Sequence, residues 1–159
     1  MLYLLFLGLP LAHLIVQLSD MPNFDNKTEM AIWIDNNISA MLPNINEFST
    51  EEEIRYYNLV DKFMTHTCST GTVNSCLDSN GFCKKHFTDN IIRNETTFSD
   101  KGYPQYKRTC EKDLRIVPHC QKILMDWNGH ANVEFAGTTY IVLYLYKVSV
   151  ILVTLLYKR

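Results

Sequence analysis

Two groups of side chains in this sequence have types and spacing that suit chemistry. His66, Cys68, Cys76 and Cys83 place one imidazole and three thiols in a short stretch. Zinc accepts mixed nitrogen and sulfur ligands, so these four could close a tetrahedral site. Gly71, Asn74, Ser75, Asn80 and Gly81 make the intervening loops rich in turn formers, which suits a small knuckle with no core of its own. The spacing lacks a tight C-x2-C pair, and unpaired loop thiols are the competing reading. The second group lies in residues 128–147, NGHANVEFAGTTYIVLYLYK. There His130, Asn132 and Glu134 alternate with Ala131, Val133 and Phe135, a period of two that predicts a half-buried strand with the three polar residues on one face. Gly137 breaks the pattern, and Thr138 or Thr139 could cap a helix. On that helix Tyr140 and Tyr144 share a side and Lys147 follows one turn beyond. Tyrosines at this spacing also suit a core.

A third, more diffuse group is cationic and aromatic. Lys107, Arg108, Lys112 and Arg115 are interleaved with Tyr103 and Tyr106. Cations that follow a phosphate backbone and rings that stack on bases suit single-stranded nucleic acid. Lys84, Lys85 and His86 add a basic triplet that could touch phosphate or simply remain solvated.

The elements that must position these groups can be read in outline. Gly8 and Pro10 introduce His13 and an apolar run over residues 14–16 that ends at Gln17 and Leu18, which fits a short strand with Leu11 and His13 on one face. Residues 19–26 read as a loop. Residues 28–41 carry Met30, Ile34, Ile38 and Met41 at helical spacing, and Pro43 stops that helix. Residues 49–66 predict the clearest helix, capped by Ser49 or Thr50, with Glu51, Glu52 and Glu53 in its first turn. Ile54, Tyr57, Val60 and Met64 are expected to face a core and Asp61 to face solvent. Residues 88–101 read as a polar loop. Residues 103–108 and 114–117 predict a strand pair joined across 109–113, ended by Pro118 and His119. Residues 123–127 form a short apolar element.

Size and charge bound the function. A chain of 159 residues has room for one domain with a real core. A net charge of −2, from 15 basic and 17 acidic side chains, excludes a strongly basic module. Nine Tyr, eight Phe and two Trp argue against disorder. Five cysteines is an odd number, so a complete disulfide framework is not the expectation. The ends read differently from the interior. Residues 1–18 resemble a secretory signal but lack a positive lead-in and a clean cleavage site. Residues 140–157 approach the length of a membrane span, with Lys147 inside. Asn26, Asn37 and Asn94 each begin an N-x-[ST] triplet. Together these features define an alternative, a small secreted or single-pass membrane protein with oxidised cysteines. A zinc-stabilised protein–protein module is a further alternative.

Several short motifs fall into one order. Gly8-Leu9-Pro10-Leu11-Ala12-His13 is followed by Ile38-Ser39-Ala40-Met41-Leu42-Pro43 and by Met64-Thr65-His66 with its cysteine loop. Gly102-Tyr103-Pro104-Gln105-Tyr106-Lys107-Arg108, Val117-Pro118-His119, and then Asn128 to Glu134 and Tyr144 to Lys147 complete the series. In these, across residues 8–147, the chain resembles the Rep, or HUH endonuclease, region of Helitron transposases, the Helitron helicase-like domain. The resemblance implies an α+β fold, an antiparallel sheet with flanking helices, with a small Cys/His loop insertion at 66–83. It makes residues 1–159 one Rep-type domain fragment without the family's helicase, and no G-x-x-x-x-G-K-[ST] occurs.

Family members nick single-stranded DNA by tyrosine attack on the scissile phosphate, polarised by a divalent ion, Mg²⁺ or Mn²⁺, held by two strand histidines and a third polar ligand. The resemblance makes His13 the second of those histidines, Tyr144 the first tyrosine and Lys147 the lysine of the tyrosine motif. Strand geometry offers His130 or Glu134 as the third ligand. Leu11 stands where the first histidine would be and Val148 where a second tyrosine would be; the apolar ends also depart from the family. The expected function is therefore that of a Helitron-type transposase fragment that binds single-stranded DNA and has lost nicking. Lys107, Arg108 and Arg115 are its expected DNA contacts. Its expected partners are single-stranded DNA and a full-length Helitron protein or helicase in trans, and its expected location is the nucleus.

Overall fold

Helix α1 (Lys27–Asn37) begins where the Asn26 side chain accepts hydrogen bonds from the backbone N–H groups of Thr28 and Glu29, both at 3.1 Å. The computed structural model describes residues 4–6, 10–12, 25–68, 76–85, 87 and 90–135. Within them the chain mixes helices with two small antiparallel sheets, an α+β arrangement. Strand β1 (Leu4–Phe6) pairs with β2 (Pro10–Ala12), placing Leu5 opposite Leu11. Strand β3 (Thr97–Phe98) pairs with β4 (Pro104–Gln105). His13, the rest of the expected first strand, Gly137 and the tyrosine helix with Tyr140, Tyr144 and Lys147 lie outside the described residues. No helix among the described residues is long and apolar enough to cross a membrane.

Helix α1 ends four residues before the expected Met41. The cause is tertiary: Ser39 and His119 exchange two backbone hydrogen bonds of 2.8 Å, which pulls residues 38–40 into extended conformation. The Asn37 side chain donates to the Trp33 carbonyl at 2.8 Å, one turn back on the same helix.

Helix α2 (Glu51–Leu59) carries a capping box in which Glu53 N–H donates to Thr50 Oγ1 and Thr50 N–H donates to the Glu53 carboxylate. Those bonds to Thr50 hold the Glu53 carboxyl below its ordinary range. The helix continues as a π-helical turn (Val60–Met64), whose wider turn sets both Val60 and Met64 fully inside. Leu59 is buried with them, whereas Ile54, expected in the core, is 40% exposed. The amino-terminal turn of α2 extends beyond the core that its far end closes.

Two apolar clusters result. Leu59, Val60, Met64, Ile116 and Leu124 form one, the last of these from helix α3 (Gln121–Trp127). Met30, Ile34, Ile38 and Phe135 form the other. Residues 130–135 run across both: Ala131 packs on the first, while Val133 and Phe135 pack on the second. His130, Asn132 and Glu134 are exposed and the odd-numbered residues are covered, so the expected alternation holds. This segment is an extended strap, tied to the described residues by bonds from Val133 N–H to the Pro118 carbonyl, from Ala131 N–H to Met64 Sδ and from Phe135 N–H to the Tyr106 hydroxyl, and it is not a strand of either described sheet.

The expected strand pair over 103–108 and 114–117 does not form. Residues 104–105 instead pair with β3, inside the stretch read as a loop, and Arg108 bridges Arg93. Residues 111–115 form a 3-10 turn organised by Asp113. The buried Asp113 carboxylate accepts from the N–H groups of Leu42, Thr109 and Cys110 and from the Thr109 hydroxyl, at 2.9, 2.7, 3.1 and 3.1 Å. A hairpin would leave those donors and that carboxylate without one another.

Candidate metal centre

The π-helical turn delivers the chain to His66 with little freedom. Thr65 bridges Ile116, Val117 N–H donates to the Met64 carbonyl at 2.7 Å, and His66 N–H donates to the Arg115 carbonyl at 2.8 Å. His66 is thus anchored at the edge of the first apolar cluster. Cys76 and Cys83 are held by a tight turn between them. Asp78 accepts from the N–H groups of Asn80 and Phe82 at 2.8 and 2.9 Å, an Asx turn closed by the side chain itself. Gly81 sits at φ 83°, where any Cβ would be strained. Leu77 bridges Cys83, and Lys84 N–H donates to the Cys76 carbonyl at 2.7 Å.

These anchors bring the four expected ligands to one point. The Sγ atoms of Cys68, Cys76 and Cys83 lie 3.3, 3.5 and 3.3 Å from His66 Nε2. All four ligand atoms fall within 4.8 Å of one another. Tetrahedral bonds of about 2.3 Å to sulfur and about 2.0 Å to nitrogen require S···N separations near 3.5 Å. The observed spacing is that of a metal site, and the cluster can hold an ion such as zinc. Phe87 stacks on the His66 ring at 4.2 Å between centroids, inclined by 10°, and so fixes the ligand's plane. No cysteine is in a disulfide; Cys110 and Cys120 stand outside the cluster, which accounts for the odd number.

The electrostatics around the site favour an unprotonated imidazole. Burial lowers the His66 pKa, and the positive charges of Arg115 and Lys85 lower it further. Among the thiols, burial and then hydrogen bonding with Cys76 and Cys83 push Cys68 up to about 11. At Cys83 burial acts upward too, but backbone hydrogen bonds from Lys85 and Phe87 outweigh it and bring the thiol below its ordinary value. N–H groups aimed at a sulfur stabilise its thiolate, the form that binds metal. Three thiolates around a divalent ion leave one net negative charge, which Lys85 and Arg115 are placed to offset.

The other expected site residues are distributed differently. His130 Nδ1 donates to the Phe63 carbonyl at 2.7 Å, and Glu134 accepts from the Asn132 side chain at 2.9 Å. Both are on the exposed face of the strap, but His13, their expected partner, is outside the described residues. Among the described residues the His66 cluster alone brings three or more histidine, cysteine or carboxylate ligands together. Lys107 is half-buried and Arg115 exposed.

Arg108 requires a correction. Expected on the surface as a phosphate contact, it is 5% exposed, and its Nη1 donates to the carbonyls of Ala40, Asp113 and Ile116. Burial, only partly opposed by Asp113, lowers its pKa to about 10. Its main work is to tie three backbone segments together. Phe87 and Asp113 escaped the sequence reading; an aromatic residue soon after the last cysteine was the available signal for the first, and nothing local marked the second. No protein-family model, curated protein or solved structure matches this chain.

Proposed function

We propose that this chain is a zinc-stabilised domain that binds single-stranded DNA, of the HUH or Rep type found in Helitron transposases, in which zinc is structural. The observation that carries the metal part is the convergence of three Sγ atoms on His66 Nε2 at 3.3–3.5 Å. Four protein donors fill a tetrahedral shell, leaving no position for water or substrate, so the ion's role is to fold the knuckle. The DNA part is supported by the ordered motifs from Gly8 to Lys147 and by the cationic and aromatic residues that flank the knuckle.

Nicking is not part of the proposed activity. The family's divalent ion needs two strand histidines, and Leu11 offers no donor atom at the first position, so the residues present do not fit that ion. Tyr144 and Lys147 keep the residue types of the tyrosine motif without the ion that would activate the phosphate. Free thiols placed to bind metal suit a reducing compartment such as the nucleus, and a full-length Helitron protein or helicase in trans is the partner that the family resemblance implies.

The test is direct. Purified protein is expected to carry one zinc per chain by elemental analysis and to give the visible absorption of tetrahedral Co²⁺–thiolate after exchange. Fluorescence anisotropy is expected to show binding to a labelled single-stranded oligonucleotide that weakens steeply with salt. Absence of stoichiometric metal would remove the structural half of the proposal. Absence of binding in the metal-loaded protein would remove the DNA half.

A further inference from the structure

Beside the metal centre lies a cavity of about 300 Å³. Lys85, Phe87, Tyr103, Tyr106, Arg108 and Glu134 are on its walls. Three motifs meet here: the knuckle supplies Lys85 and Phe87, β4 and its flanks supply Tyr103, Tyr106 and Arg108, and the strap supplies Glu134. We propose that this cavity captures one unstacked base of single-stranded DNA, with the adjoining phosphate on Lys85. This rests on the DNA-binding reading above and gives it a place on the molecule.

The chemistry of the walls selects that ligand. Four aromatic residues, Phe87, Tyr103, Tyr106 and Phe135, line one small space and offer stacking partners to a planar heterocycle, and every base has a π face to present. Lys85 is exposed at the cavity, and among the described residues no carboxylate forms an ion pair with it, so it suits a phosphate point charge. Arg108 has its charge offset by Asp113 behind the wall, so the exposed Lys85 is the cation that faces an entering anion. The volume is at the lower end of the ~300–1,000 Å³ range of small-molecule pockets, enough for one nucleotide and too little for a helix or a folded peptide. A base within a duplex has both faces covered by its neighbours, so only an unstacked one can enter.

The walls are also preorganised. The Tyr106 hydroxyl accepts from Phe135 N–H at 3.0 Å, fixing that ring. Phe87 has its plane set by the stack on His66, and the Arg108 guanidinium is tied to three carbonyls. Lys85 is attached to the metal loop through the hydrogen bond from its backbone N–H to the Cys83 sulfur. Little rotamer freedom is therefore lost on binding. The same connections mean that the knuckle forms one wall of the cavity, so metal loading and base capture are linked through Lys85 and Phe87.

The experiment uses the full chain loaded with zinc and a single-stranded oligonucleotide carrying 2-aminopurine, whose fluorescence falls when it stacks. The variants are Tyr103→Ala and Lys85→Gln, with Lys122→Gln as a control because Lys122 pairs with Asp126 on α3 and does not line the cavity. Tyr103 is 38% exposed, so its truncation spares the core, and zinc content with thermal melting verifies each fold. Binding is expected to quench the probe. Tyr103→Ala is expected to weaken binding roughly tenfold and relieve the quench. Lys85→Gln is expected to reduce the salt slope by about one, with Lys122→Gln unchanged. If the parent protein binds the strand while Tyr103→Ala and Lys85→Gln bind equally well, the cavity proposal is overturned and the DNA reading stands. Equal competition by the matching duplex also overturns base capture. If the zinc-loaded parent binds no single strand at all, both fall together.

Discussion

The knuckle at His66 and the knot at Arg108 both hold polar groups at the edge of one apolar cluster, and they stabilise them by opposite means. In the knot every partner comes from the chain itself. Arg108 Nη1 meets three carbonyls and the Asp113 carboxylate meets four donors, joining residues 40–42, 108–110, 113 and 116. In the knuckle three thiols and an imidazole converge with no cation of the protein among them, and the loop between Cys76 and Cys83 is largely surface. The knot is complete under any condition in which the protein folds, whereas the knuckle depends on an ion, and so on redox state and chelators. Permanent architecture is built from the first kind of site, and conditional order from the second.

The comparison breaks hardest at Asp113. Asp113→Ala removes the acceptor of three backbone N–H groups and the carboxylate that offsets the buried Arg108. Urea unfolding is expected to show a loss of about 3–5 kcal/mol, the range for stranding a buried charge. A loss well under that, with Arg108 re-exposed, would mean the knot is a surface feature. Chelation, or Cys83→Ser, is expected to act differently. Hydrogen exchange should lose protection across residues 76–87 while α2 and α3 keep theirs, with a global cost of only about 1–2 kcal/mol. Uniform loss of protection would show that the knuckle is part of the main cooperative unit and would erase the distinction.

His119 gives a third, smaller lever, since it belongs to the self-satisfied kind of site and yet titrates. It is fully buried; its Nδ1 donates to the Val117 carbonyl at 2.9 Å, so its Nε2 accepts from the Tyr56 hydroxyl at 2.8 Å. Burial lowers its pKa, and the Val117 bond only partly opposes this. The unfolded chain therefore binds the proton more readily. The contribution of neutral His119 is complete above the ordinary histidine value of about 6.5 and is lost as pH falls below it toward the folded-state value. Denaturation followed from pH 7.5 down to 5 in metal-free protein should show stability declining below about pH 6.5. His119→Gln should remove that component of the slope; an unchanged slope would assign it to other groups.

How much of this was legible in the sequence depended on whether the deciding contacts were local. A cap at Ser49 or Thr50 is a local signal; Thr50 takes the position, and the box it closes with Glu53 adds to that reading. The alternation of residues 130–135 survived as burial, because a period of two is a property of extended backbone whether or not a partner strand is present. The four metal ligands were legible by type, and the Asx turn at Asp78 explains how spacing without a tight pair still converges. What failed was long-range: the Ser39–His119 bridge cut α1 short, and Asp113, hydrogen-bonded to Leu42 far back in the chain, replaced a hairpin with a turn. Arg108 carried a surface residue's name into the interior for the same reason.

The smallest expected effect tests the same lesson within one helix. Ile54 and Val60 both match the helical apolar period of residues 49–66, and a sequence-only reading places them in one core. In the structure Val60 is fully buried beside Met64, while Ile54 is 40% exposed one and a half turns earlier. The difference arises because the core is gathered around the π-helical turn, where Ile116 and Leu124 arrive from elsewhere in the chain. Val60→Ala should therefore cost roughly 1–3 kcal/mol through lost burial and a residual cavity. Ile54→Ala removes more carbon from the same helix, yet should change the unfolding free energy by no more than about 0.5 kcal/mol. Equal costs at the two positions would mean that the amino-terminal turns of α2 are covered in solution, and would move the edge of the core outward by a full turn.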